Sequence, residues 1–354
     1  MFNATALACF GAIAACRQGS ADLHPVHVRN IGLLQAWEQW AQQRISESGQ
    51  TDAANFLTRL RLRFSENDNL MKHILLRATS QNGNMFQKSR QDAVEGDAMF
   101  ATAALMYSHR PNVLLELTPA LEQLMTGSDL GDDIPAAQLR PPAPACYIRF
   151  GTMMQQAVAL PVDDGIPANH IEGAYVFETV DNGNRAISVV AIYAVDAHAP
   201  MGISSLDFVI KDEQEALLEV IHRQCSASAP SPPLLAQQTA LAQLCTKVFL
   251  YWSLEQASRV TRTPYSEAMR QLHGKGARKA GKLRRQMEHL YDSVVLGPPA
   301  LPDHLRKVVG EMSPHWRRGH FRMQSCGPQM SQRKIIFIAP TVVRADRLST
   351  YELP

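Results

Sequence analysis

The chain has 354 residues, a formal net charge of +2, and 45% hydrophobic against 19% charged residues, values that exclude global disorder and allow a sizeable core. The near-neutral total hides a split. From Arg259 onward there are 18 Lys/Arg against 7 Asp/Glu, whereas the residues before it hold 17 against 26. A basic end on an acidic body points that end at an anionic partner, nucleic acid being the commonest.

The opening MFNATALACFGAIAAC ends like a bacterial lipoprotein cleavage site. However, no Lys or Arg precedes Arg17, and Asn3 and Thr5 interrupt the apolar run. A first helix is therefore expected rather than an export signal, and no membrane span is expected elsewhere. Cys9, Cys16, Cys146, Cys225, Cys245 and Cys326 form no CxxC pair, which argues against a zinc ribbon or a disulfide framework and fits a reduced, cytoplasmic setting.

Residues 1–126 read as a helical region. IGLLQAWEQWAQQRI (31–45) aligns Ile31, Leu34, Trp37, Ala41 and Ile45 in one stripe, and NFLTRLRLRF, NLMKHILLRA and DAMFATAALMYSH behave similarly. Thr118-Pro119 supplies an N-cap and a first-turn proline for ALEQLM. Residues 127–144, rich in proline, glycine and aspartate, read as a linker.

Residues 145–354 read as a mixed sheet and helix region. ACYIRF is a strand, IEGAYVFETV and RAISVVAIYAVD form a hairpin with Asn182-Gly183 at its turn, and SLDFVIKD is a further strand; together they predict an antiparallel sheet. After the SASAPSPP spacer, LLAQQTALAQLCTKVFLYWSLEQASRV predicts a central buried helix. GKGARKAGKLRRQMEHLY (274–291) predicts a cationic helix from about Ala277. DSVVLGPP reads as a strand and LPDHLRKVVGE as a short helix, before HWRRGHFRMQ and RKIIFIAPTVV form two strands around Gly327-Pro328. The fold class is α+β: a helical N-terminal part, a central antiparallel sheet with a hairpin, a helical insert and a C-terminal strand pair.

The last strand pair carries the chemistry. Alternation over 315–324 places Trp316, Arg318, His320 and Arg322 on one face and His315, Arg317, Gly319 and Phe321 on the other. Guanidinium forks at Arg318 and Arg322 suit phosphate oxygens, Trp316 offers a stacking platform, and Gly319 leaves room for a close approach. The first face is expected to be open to solvent beside the basic helix, because few carboxylates are at hand to neutralise buried arginines. The plainer alternative is a set of arginines that keep a strand edge soluble.

The basic helix adds Lys275, Arg278, Lys279, Lys282 and Arg285, and the final strand adds Arg333 and Lys334, which together favour a nucleic-acid-binding patch over plain solvation. His320 is the one candidate catalytic residue, as acid or base of a metal-independent RNase with Arg318 or Arg322 as its clamp. His315 falls on the opposite face and does not pair with it. No HExxH, EF-hand, Walker or GxSxG motif is present, and neither a metal nor a cofactor is expected.

His315-Trp316-Arg317-Arg318-Gly319-His320-Phe321 resembles the C-terminal strand of type V-A anti-CRISPR proteins of the kind that make the effector nuclease's transcript disappear during translation. The resemblance continues at RKIIFIAPTVV, at Pro144-Ala145-Cys146-Tyr147-Ile148, at His170-Ile171-Glu172-Gly173 and at Leu206-Asp207-Phe208-Val209, in the same order. It lies mostly from Pro135 onward. The strand holding Tyr147 and Arg149 departs from the family at the arginine, so no role carries over to it.

The resemblance implies a phage- or plasmid-borne protein acting in the bacterial cytoplasm. Such a protein would recognise the nascent polypeptide of a target, such as a type V-A CRISPR nuclease, at the ribosome and promote degradation of its mRNA. The basic part would face mRNA or ribosomal RNA, and no residue is assigned to the peptide. A non-enzymatic adaptor is favoured. The competing readings are an intrinsic RNase and an unrelated RNA-binding regulator.

Overall fold

The computed structural model describes residues 24–30, 64–66, 102–159, 170–194, 202–228, 231–301, 316–339 and 341–342. The N-terminal segment, the stripes over 31–45 and 69–78, His315 and all but the first residue of the expected helix over 301–311 lie outside these. Within them, α1 covers Pro25–Asn30, and a helical run over 102–109 buries Thr102 through Tyr107.

The strand β1, Asn112–Leu117, corrects the reading of residues 1–126 as helical. NVLLEL is a short continuous apolar run, which periodicity alone does not separate from a buried helix; its place between two parallel neighbours decides for a strand. It lies between β3 (Ala145–Arg149) and β8 (Ser293–Leu296), parallel to both. Next comes α2, Pro119–Thr126, where the Thr118 hydroxyl accepts the Leu121 N–H at 3.2 Å, as the capping pattern predicts.

The main sheet has seven strands in the order β6-β5-β4-β3-β1-β8-β7. Strands β4 (His170–Asp181), β5 (Asn184–Ala194) and β6 (Gly202–Ile210) continue from β3 in antiparallel fashion, as expected. Asn182 and Gly183 take φ values of 49° and 81°, the paired left-handed residues of a tight hairpin. With β1 and its parallel neighbours the sheet is mixed rather than purely antiparallel. The edge strand β7 (Arg259–Arg262) pairs only with β8 among the described residues.

Against this sheet pack α4 (Leu217–Ser228) and α5 (Pro232–Ser253). α5 touches α2, α4, β6 and the C-terminal strand Gln332–Ile338, and it buries Leu241, Cys245, Val248 and Phe249 among others, as expected of a helix apolar over most of its surface. α6 (Pro264–Leu272) and α7 (Ala277–Met287) lie between β7 and β8 in the chain and pack on each other, the second of them the predicted basic helix. Among the described residues no helix is long and apolar enough to cross a membrane.

A second sheet, in the order β11-β10-β2, joins β10 (Gly319–Cys326) to β11 (Gln332–Ile338) and to β2 (Ser128–Leu130). Residues 127–144 are therefore not an open tether. They hold β2 and a 3-10 turn at Ala136–Gln138, and they bury Leu130, Ile134, Ala136 and Leu139. Arg185 donates to the Leu139 and Ala136 carbonyls at 2.7 and 3.0 Å and holds the segment on the hairpin. Proline, glycine and aspartate mark its turns, while the spaced apolar residues between them dock it.

Candidate nucleic-acid interface

From Gly319 onward the predicted alternation holds. Gly319, Phe321 and Met323 are buried, whereas His320 is half-buried and Arg322 and Gln324 are exposed. The Phe321 ring packs tilted against Phe337, with centroids 4.7 Å apart, and anchors the strand from within. Arg318 lies between β9 (Trp316–Arg317) and β10, so the two-residue period does not run unbroken from Trp316 to Arg322. β9 instead pairs with β12 (Thr341–Val342), and the backbone of Trp316 and Arg317 belongs to that separate ladder.

Two features of this face escaped the sequence. Directly opposed residues of antiparallel strands share a face, and the register sets His320 beside Ile338, Arg322 beside Ile336 and Gln324 beside Lys334. The outer surface is thus cationic and apolar together. The parallel register with β2 also brings Asp129 alongside His320.

Two aspartates correct the expectation that few carboxylates are at hand. Asp129 lies 3.6 Å from Arg318, with side-chain exposures of 60% and 69%. Asp133 lies 3.6 Å from Arg333 and accepts the Met323 N–H at 3.1 Å. Exposed pairs of this kind contribute about 0–1 kcal/mol, so they tune the face rather than hold it. Arg318, Arg322, Arg333 and Lys334 are all exposed. Lys334 shares the outer face with Arg322, whereas Arg333, opposite Ser325, belongs to the other face with Asp133, so the outer face holds more cations than carboxylates.

Beneath it sits a buried cation that the sequence did not single out. Lys247 of α5 is 5% exposed, and its ammonium donates to the Met125 carbonyl at 3.0 Å and to the Ser128 carbonyl. It thereby closes the C-terminal end of α2 and fixes β2, the strand on which β10 rests. Burial pulls its pKa down to about 8 from an ordinary 10.5; Asp129 opposes the shift and Arg318 adds to it. A neutral amine keeps two N–H groups, enough for both carbonyls, so deprotonation leaves the clasp closed.

Between pH 8 and 10.5 the unfolded chain holds this proton and the folded chain does not. Stability attributable to Lys247 therefore rises with pH through that window, by about 3 kcal/mol at most. Buried Cys146 and Cys245, held protonated to about 12, pull the other way. Urea unfolding of wild type and Lys247→Met across this range should thus show a stability difference that grows with pH, and a constant difference would refute the depressed pKa.

On α7 and just before it, Lys275, Arg278, Lys279, Lys282 and Arg285 are all exposed, while Ala280 and Met287 turn inward. Arg29 of α1 donates to the Met287 and Leu290 carbonyls at 2.9 Å and caps the helix C-terminus. The main packing partner of α7 is α6, whereas β10 packs on β2 and β11.

A distinct cleft of about 580 Å³ opens at the C-terminal ends of β1 and β3. Glu116 and Arg149 are register partners there. One Glu116 oxygen accepts from Tyr291 at 2.6 Å and from Arg149 at 3.1 Å, and the other accepts from Ser293 at 2.9 Å. Burial pushes the Glu116 carboxyl up, but these three hydrogen bonds and the Arg149 charge hold it below the usual range. Glu122 accepts the Gly151 N–H at 2.6 Å and caps α3 (Thr152–Ala157) from outside; its burial raises its pKa against that bond. The only sequence signal for this site is a charged residue at or next to the end of each of two apolar strands.

A search of curated proteins finds no match to the chain. Among solved structures, the crystal structure of AcrVA2 matches with a TM-score of 0.42 and 15% identity, over 77% of this chain and 86% of that one. The model of the AcrVA2-like family, anti-CRISPR type V subtype A2, matches residues 115–345, which take in the second half of β1, the other strands of the main sheet, the clasp at Lys247 and the Arg-Arg-Gly-His strand. The chain belongs to this anti-CRISPR family.

Proposed function

We propose that the protein acts in the cytoplasm of a bacterial host by binding the nascent polypeptide of a type V-A CRISPR nuclease or a similar target and promoting degradation of its mRNA. Its β10 face would meet mRNA or ribosomal RNA. The observation that carries this reading is the position of Arg322, exposed on a strand whose other face is locked into the core by Phe321, with Arg318 exposed immediately before that strand. Guanidiniums on a rigid strand present their forks to phosphate with little ordering cost. The basic face of α7 supplies further phosphate contacts.

An adaptor fits this surface better than an RNase. Acid–base cleavage needs a second group within hydrogen-bond reach of the reacting oxygens. Asp129 is the titratable residue in register with His320, and its carboxylate lies by Arg318. Among the described residues the His320 side chain makes no hydrogen bond, so none of them orients it for acid–base work.

Purified protein should leave naked mRNA intact and bind ribosomes or RNA. Arg318→Glu with Arg322→Glu should abolish that binding and the silencing of a sensitive target, with an unchanged melting temperature. His320→Ala should keep part of the silencing. Cleavage of naked RNA that disappears with His320→Ala would establish the RNase instead.

A further inference from the structure

We infer that the cleft at the ends of β1 and β3 seats a short acidic and apolar stretch of the peptide partner, with Arg149 gripping its carboxylate. The inference rests on the reading of the protein as a peptide binder and assigns that peptide a place and a chemistry.

One terminal nitrogen of Arg149 donates to Glu116 at 3.1 Å and to Tyr291 at 2.9 Å. Those two bonds fix the guanidinium plane. Its other nitrogens have no partner among the described residues, and the side chain is 53% exposed. An arginine held by one arm, with the rest of its fork facing a cleft, is pre-organised for a single carboxylate, since part of the ordering cost is met before the ligand arrives.

The surroundings select the ligand class. Glu116 and Glu122 both line the cleft, so a phosphate chain would face two carboxylates for one arginine. That charge balance disfavours RNA and tolerates one carboxylate seated on Arg149. Leu117, Pro119 and Phe150 supply an apolar wall, and Met153, 39% exposed, supplies an adaptable one at the mouth. The volume of about 580 Å³ is that of a pocket for a drug-sized ligand. Strands β3, β1 and β8 run the same way, and the crevice beyond the carboxyl ends of parallel strands is where such sheets commonly bind ligands.

The full-length protein, panned against a bead-displayed library of random peptides, should enrich Asp or Glu beside an apolar residue. A fluorescent copy of the best peptide should bind Arg149→Met at least about tenfold more weakly, with Arg149→Lys in between. Because Arg149 also ties Glu116 to Tyr291, melting temperatures accompany each measurement. Met153→Glu, which leaves those bonds alone, should weaken the same peptide by placing a like charge at the mouth.

Unchanged acid preference in folded Arg149→Met and in Met153→Glu would overturn the assignment, as would a loss of affinity for labelled poly(U) in place of the peptide. If silencing still follows the encoded peptide in those variants, the nascent-peptide reading stands and the cleft assignment alone falls. If wild type enriches no peptide, both fall.

Discussion

Phe321→Ala should lower the unfolding free energy by about 3–5 kcal/mol, the usual range for deleting a buried phenylalanine side chain. Phe321 is 0% exposed, lies against Phe337 and belongs to the cluster that includes Leu130 of β2. Its loss empties the point where the second sheet meets the main core. Arg322→Ala, one residue along, should change stability by no more than about 0.5 kcal/mol, since the side chain is exposed and stands outward. Urea unfolding of the two variants, side by side, measures the two faces of β10 separately. A comparable loss for both would make Arg322 a structural residue and remove the basis for a free cationic face.

The two faces were legible in the sequence because GHFRMQ alternates small or apolar residues with polar ones, and a strand turns that alternation into inside and outside. The hairpin was legible for a similar local reason: Asn182-Gly183 meets the turn's demand for positive φ. What escaped was non-local. NVLLEL reads equally well as helix or strand until its parallel partners are known. Asp129 and Asp133 look like linker residues until pairing sets them beside Arg318 and Arg333, some two hundred positions on.

Lys247 was hidden for a different reason. A lone lysine in an apolar helix gives no local sign that it closes two backbone carbonyls in another element. The cleft was less legible still, because Glu116, Arg149 and Tyr291 meet only through the register of β1 with β3 and the approach of the chain to β8. The charge split of the sequence pointed to the end of the chain that carries these exposed cations. It overstated the net positive charge around β10, because the acidic half sets Asp129 beside Arg318 and Asp133 beside Arg333.

Recognition of a nascent peptide makes the encoded amino acids, rather than the nucleotides, the signal for mRNA loss. Three reporter transcripts separate the two. One carries the first codons of a sensitive type V-A nuclease, one carries the same codons synonymously recoded, and one carries them shifted in frame with the frame restored downstream. RNA sequencing in cells with and without the protein gives the abundance of each. Peptide recognition predicts that the native and recoded transcripts fall together while the frame-shifted transcript persists. A frame-shifted transcript that falls as far as the native one, with the recoded transcript spared, would contradict it.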